Sequence, residues 1–369
     1  MEYCNRQEPT TLAQERAKNG HPEPYRVRYW GVGNEVWGGG GTLTPEAYAD
    51  KYRRFSSAMP SFTHMIGEQS AMYAIASGPD GNKPIERVNW TKDLFNELAR
   101  YRQPKIDGYD VHFYNWNIAH EDDTSTSYPK EGWDRLVKGC LDLEDEIFRQ
   151  DRMIRNGLAA MPLPELATDP RLQHIDLIVG EWGNWHRDAT VARPALYQHA
   201  TIRDAITTAL TLDVLQRNCD TVSMACNAQT INVLNALILT DGEKMALTPN
   251  YYVFEMYKAH RGAMAIRLPR QDEESKAYQF ASIKGSEITV DLINARTDKE
   301  IDVDLAFDRP VEMQSMISLA SDDLHACNVP GEEPRLIPTH EAFASARGTK
   351  LAAVLKPASV NTLRLKIAA

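Results

Sequence analysis

The hydrophobic period of this chain changes once, near Gly262, and that change constrains the fold more than any single motif. Before it, short apolar runs alternate with longer amphipathic segments, the pattern of a parallel sheet wrapped by helices. Five runs read as strands: residues 27–32, 72–77, 108–113, 176–180 and 221–226. Thr44-Pro45-Glu46 opens a helix with an N-cap, a first-turn proline and an acid at the positive end of the dipole. Residues 133–156 read as a second helix that ends at Gly157 and 196–217 as a third, whereas 161–170, with three prolines, read as a loop. A last helix over 250–260 has Gly262 as its C-cap. Beyond it, residues 287–293, 301–307 and 360–367 alternate apolar with polar side chains, as half-buried antiparallel strands do. Two domains are expected, a helix-wrapped parallel sheet over residues 1–262 and a small β-sandwich over residues 263–369.

The formal net charge of −10 argues against nucleic acid or an anionic membrane as partner, either of which calls for basic stripes. Neutral substrates fit better. Cys4, Cys140, Cys219, Cys226 and Cys327 are odd in number and irregularly spaced, so neither a disulfide framework nor a zinc site is suggested. No run approaches the roughly 18 apolar residues of a membrane helix, and the first residues lack the basic start of a signal peptide. A reducing, cytoplasmic setting is expected.

Two acids stand out. Asn34-Glu35 follows the run at 27–32 and precedes the glycines at 38–41, which aims a carboxylate at a cleft rather than a core. Glu181 has the same setting at the end of the run at 176–180, followed by Trp182-Gly-Asn-Trp185. Each alone reads equally as a solvated loop residue or a capping partner. Together, two strand-end acids flanked by tryptophan meet the requirement for hydrolysing a sugar acetal: one protonates the leaving oxygen, the other attacks the anomeric carbon. Gly31-Val-Gly33 with the later glycines suggests a phosphate loop, yet no Lys-Ser/Thr follows and the acid would repel phosphate. His120-Glu-Asp-Asp123 holds metal-ligand types but reads as a solvated charge run.

Further stretches carry a resemblance: Glu2-Tyr-Cys-Asn5, Tyr29 through Glu35, Val111-His-Phe-Tyr114, Ile178-Val-Gly-Glu-Trp182, Ala228-Gln-Thr-Ile-Asn-Val233 and Leu239-Thr-Asp-Gly-Glu-Lys244. On these the chain resembles the C-terminal two-thirds of an α-L-arabinofuranosidase of glycoside hydrolase family 51. The resemblance implies a partial (β/α)8 TIM barrel, its five strands being the fourth to the eighth, followed by the β-sandwich. It implies that Glu35 is the general acid/base and Glu181 the nucleophile of a retaining reaction, with their carboxyls about 5–5.5 Å apart. Asn34 would bond the sugar 2-hydroxyl, and Tyr114 would hold the nucleophile. His112 would support the same wall, Gln229 would meet the sugar or the nucleophile, and Trp182 and Trp185 would line the pocket. His112 also reads as a satisfied core histidine and Trp185 as a packing residue. The implied reaction releases terminal arabinofuranosyl units from arabinan, arabinoxylan or their oligosaccharides and needs no metal or organic cofactor.

The chain also departs from that family. Gly180 stands where an aspartate usually precedes the nucleophile, so the loss of an acceptor and a looser backbone are expected there. Residues 60–71 fit poorly. The family's first three strands have no counterpart, so the sheet is expected as an open arc with the 27–32 and 221–226 strands as unpaired edges. The chain is then expected to be a fragment, or to swap or pair with a second copy, and alone to be aggregation-prone or oligomeric and weak or inactive. Two rival readings stand beside the arabinofuranosidase: an inactive remnant that binds sugar or a partner, and a related glycosidase of β-xylosides or β-glucosides.

Overall fold

The computed structural model describes residues 1–59, 72–80, 84–100, 106–160, 174–269, 275–341 and 347–368. The readings for 60–71 and for the loop at 161–170 lie outside the described residues. Two compact units emerge: Met1–Phe113 with Glu146–Gly180 and Thr221–Met224, and Tyr114–Asp145 with Glu181–Asp220 and Ala225–Ala369.

The parallel sheet has the order β1 (Tyr29–Val32), β2 (Tyr73–Asp80), β3 (Gly108–Asn117), β4 (Asp176–His186), β5 (Val222–Asn227), so β1 and β5 are its ends. Such a sheet, with an antiparallel domain after it, fits a partial TIM barrel carrying a β-sandwich. β1 pairs with β2 from Tyr29 opposite Tyr73 to Val32 opposite Ala76, and β2 with β3 from Ile75 opposite Gly108. In the first unit, helix α1 (Pro45–Ala58) is capped as expected, the Thr44 hydroxyl accepting from the Ala47 N–H at 3.3 Å. Its buried face carries Tyr48, whose hydroxyl donates to the Val32 carbonyl at 2.6 Å and accepts from the Ser77 N–H at 2.7 Å. One phenol thereby ties the end of β1 to β2.

Four expected boundaries move. β3 and β4 run past residues 113 and 180 to Asn117 and His186, so Tyr114 and Glu181 sit within strands rather than on loops. After α2 (Pro84–Ala99), helix α3 (Lys130–Ala160) continues through Gly157, where a Cβ would lie 2.7 Å from that of Phe95. That glycine permits close packing and ends nothing. Helix α4 (Ile202–Arg217) starts late, because Leu196 has φ of 63° and the start is set by a capping box between Thr201 and Asp204.

In the second unit, α5 (Pro249–Tyr257) follows the hairpin of β6 (Ile238–Asp241) and β7 (Lys244–Leu247), and antiparallel strands begin at Met264. The long β9 (Ile301–Ala320) pairs with β10 (Arg347–Leu355) through Ile301 to Ala306. From Val311 onward it pairs with β11 (Ser359–Ile367), which in turn pairs with β8 (Glu287–Asn294). One face of these strands encloses Val290, Leu292, Leu351, Leu363 and Leu365. On another core, Ile202, Ala205 and Ala209 of α4 pack with Trp133, Val253, Ile293, Leu319 and Val360. α4 is buried nearly all round, as a helix enclosed by other elements must be.

A buried polar cluster sits at the start of α4. The Asp204 carboxylate meets His186 Nε2 at 2.8 Å, accepts from the Asn184 amide at 2.8 Å and caps the Thr201 N–H at 2.8 Å. Its neighbour Arg203 bonds Asp123 at 2.8 Å and stacks 3.5 Å from the centroid of the Tyr128 ring. Asp123 is therefore a buried counter-ion of Arg203 and Arg135 and no part of a solvated charge run. Burial alone would raise the Asp204 carboxyl, but His186, Arg203 and the Thr201 N–H bring it down to about 2. A depressed carboxyl stabilises the fold fully above its unfolded value near 3.8, and that contribution is lost as pH falls toward about 2. Asp204→Asn should therefore cost about 2 kcal/mol at neutral pH and flatten the acid limb of stability between about pH 4 and 2. Urea titrations across that range check this, and an unchanged acid limb would refute it.

Candidate active site

Glu35 follows β1 by three residues, in a turn shaped by glycine. The N–H groups of Gly38 and Gly40 donate to its carbonyl at 2.8 and 3.1 Å. A Cβ on Gly40 would lie 1.8 Å from the Asn34 carbonyl oxygen, so only glycine fits. The loop clamps Glu35, whose own φ is 44°. Asn34 is exposed beside it. The Glu35 carboxyl, 31% exposed, places Oε1 3.0 Å from His112 Nδ1.

The other ring nitrogen, Nε2, lies 3.2 Å from Oδ2 of Asp110, two residues earlier on β3. His112 is thus buried but engaged by two acids, which a merely packed core histidine would not be. Oδ1 of Asp110 accepts the Gly180 N–H at 2.9 Å, and a Cβ at residue 180 would come within 2.2 Å of that oxygen. This corrects the expectation for Gly180. The acceptor before Glu181 is supplied from β3 and not lost, and glycine is what makes room for it.

In the second unit the Tyr114 hydroxyl donates to Glu181 Oε2 at 2.6 Å. Alternation along the strands puts Trp116 with Tyr114 and Trp185 with Glu181. Trp116 and Trp185 stack at 4.7 Å with a 12° interplanar angle, and Tyr114 meets Trp185 edge-on at 5.1 Å. Trp116 is 39% exposed, which leaves an aromatic face available to a ligand. Ala189, Ala228 and Leu234 pack behind Tyr114. Trp182 does not belong here. One residue from Glu181, it points to the opposite face of β4, is 2% exposed and stacks on Phe254 at 6.0 Å. Gln229 is exposed two residues beyond β5, its N–H held by the Val233 carbonyl.

Asp110 and Trp116 escaped the sequence reading. Their signal was the alternation 110, 112, 114, 116 along one strand face, visible once β3 is allowed to reach Asn117. A cleft of about 630 Å³ beside β1 and α1 is lined by Trp30, Val32, Val36, Leu43, Tyr52 and Phe55. It is apolar and carries no carboxylate, so the chemistry lies elsewhere.

Gly180→Ala should destabilise the protein by about 1–3 kcal/mol through overpacking against Asp110. Asp110→Ser, which shortens the obstructing side chain, should relieve most of that cost. A double-mutant cycle by urea unfolding reads the coupling, and additive losses would contradict the contact.

Comparison with known proteins gives these residues a context. Residues 1–132 match the family described as α-L-arabinofuranosidase 1 domain, and residues 180–359 match the α-L-arabinofuranosidase C-terminal domain. The chain is 33% identical over 267 residues to an intracellular exo-α-L-arabinofuranosidase of Bacteroides ovatus, a match covering 71% of this chain and 47% of that protein. It is 25% identical over 353 residues to a probable α-L-arabinofuranosidase C of Aspergillus fumigatus, covering 90% of this chain and 65% of that one. The chain thus spans between about half and two-thirds of the length of these relatives. Among solved structures, the GH51 arabinofuranosidase of Xanthomonas axonopodis pv. citri superposes with a TM-score of 0.78 at 28% identity, covering 99% of this chain and 71% of that one. The Thermotoga maritima enzyme shares the fold, with a TM-score of 0.75 at 24% identity and coverage of 99% and 72%. From its two family matches and these relatives, the chain belongs to the α-L-arabinofuranosidases of glycoside hydrolase family 51.

Proposed function

We propose that this chain acts as a retaining α-L-arabinofuranosidase that releases terminal α-L-arabinofuranosyl units from arabinan- or arabinoxylan-type saccharides. The observation that carries the reading is the Tyr114 hydroxyl on Glu181, a donor that fixes one oxygen of the carboxylate assigned to attack. In the first half-reaction Glu181 attacks the anomeric carbon as the glycosidic C–O bond breaks, and the Glu35 proton goes to the leaving oxygen. In the second, Glu35 takes a proton from water, whose oxygen displaces Glu181. Asn34 binds the 2-hydroxyl, Gln229 meets the sugar, and Trp185 with Trp116 forms an aromatic wall. His112 supports Glu35. The names of the relatives support the substrate class.

The five parallel strands are taken as the fourth to the eighth of the barrel, with the domain boundary at residues 262/263. The start of antiparallel pairing at Met264 supports that boundary. Among the described residues no helix is long and apolar enough to cross a membrane. A cytoplasmic location is supported by the intracellular Bacteroides relative. Self-association is a further part of the reading, supported by the exposed Tyr29 on the terminal strand β1 and the exposed Phe55 on α1.

Proton NMR of the sugar first released from an aryl α-L-arabinofuranoside should show retained anomeric configuration, and inversion would overturn the mechanism. Glu181→Ala should abolish turnover of every substrate. Glu35→Ala should lower kcat/KM for poor leaving groups and spare it for an acidic phenol. Tyr114→Phe should lower kcat/KM by roughly one to three orders of magnitude without loss of folding by circular dichroism, and unchanged kinetics would place the pocket elsewhere.

A further inference from the structure

His112 stands between two acids, Glu35 on Nδ1 at 3.0 Å and Asp110 on Nε2 at 3.2 Å. A neutral imidazole has one N–H and one bare nitrogen, so its two contacts cannot be alike, and the partner of one nitrogen fixes the role of the other. Asp110 is itself fixed. Its Oδ1 accepts the Gly180 N–H, which can only donate, and this turns Oδ2 to the ring as an acceptor. Glu35 has the opposite requirement, since an acid/base must carry a proton in one half-reaction and give it up in the other.

We propose that Asp110 is a positioning residue that acts through His112 on Glu35, holding Nε2 as an N–H so that Nδ1 is where the ring and Glu35 share one proton. The inference rests on the reading of Glu35 as acid/base. The proton count closes. Before cleavage one proton lies between Nδ1 and the Glu35 carboxyl; its transfer to the leaving oxygen leaves a carboxylate facing a ring that still has Nε2–H. The proton taken from water in the second half-reaction restores the starting state. The same carboxylate anchors the backbone at Gly180, directly before Glu181, so one side chain serves both halves of the reaction.

Asp110→Asn separates these two tasks. The amide oxygen can still accept from the Gly180 N–H, but the amide NH2 then faces Nε2 and forces the other tautomer, with Nδ1–H donating to Glu35 and holding it ionised. Nitrogen-15 NMR of the His112 ring should show Nε2 protonated in the parent protein and unprotonated in Asp110→Asn. In kcat/KM, Asp110→Asn should lose about 10²-fold on methyl arabinofuranoside, the scale of general-acid catalysis, and less than about threefold on the dinitrophenyl glycoside. An unprotonated Nε2 in the parent protein overturns the proposal without any variant. So does an equal loss on both substrates, which would assign Asp110 to the Gly180 backbone alone. Glu35→Ala measured alongside keeps the readings apart. Leaving-group dependence there but not in Asp110→Asn sinks only this inference, whereas none in Glu35→Ala sinks the acid/base reading beneath it.

Discussion

The second unit is organised around one buried carboxylate, Asp204, and its bond to His186. Both groups are almost fully enclosed, and a charge in such a place is tolerated only when every lone pair is answered. Here His186 and Asn184 answer from β4, Thr201 answers from the helix start, and Arg203 adds a positive charge nearby. The consequence reaches the candidate site along the chain. Asn184 and His186 flank Trp185, and three residues before Asn184 lies Glu181, so the cluster restrains the strand that carries Glu181. Asn115 of β3 donates to Asn184 at 3.1 Å and extends the same restraint to the strand bearing Tyr114 and Trp116.

Lower in α4 the opposite solution appears. Asp213 is pushed well above the usual carboxylate range by burial and by the charge of Asp291 nearby, with Tyr257 its hydrogen-bond donor. Asp291 is raised by burial too, although His260 and Thr362 bond it. Where His186 and Arg203 face Asp204 its carboxyl is lowered; where burial and a second acid meet Asp213 its carboxyl is raised. The two ends of the helix thus meet buried acids shifted in opposite directions.

Much of the fold was legible because it rests on periodicity. The alternation of strand-like and helical runs up to Gly262, the Thr44 cap and the period-two strands at 287–293 and 360–367 are local signals, and each marks an observed element. The strand ends were not. Tyr114 to Asn117 and Glu181 to His186 are rich in polar and aromatic residues that break the apolar run, and inside the protein Asn115, Asn184 and Asp204 satisfy one another. The same blindness misplaced Trp182, since a residue next to an active acid is on the opposite face when the acid sits within a strand. Gly180 misled for a related reason: its partner Asp110 is 70 residues away, and no local pattern announces a carboxylate arriving from the neighbouring strand.

The left-handed backbone at Glu35 does not favour a glutamate. A glutamate at φ of 44° sits where glycine or asparagine is at ease, and such strain costs of order 1 kcal/mol. The glycines at 38 and 40 close the turn onto its carbonyl and hold the chain there against that preference. Stability alone would not choose an acid at this position, so replacement of Glu35 by asparagine or glycine should leave the strands and the glycine turn standing.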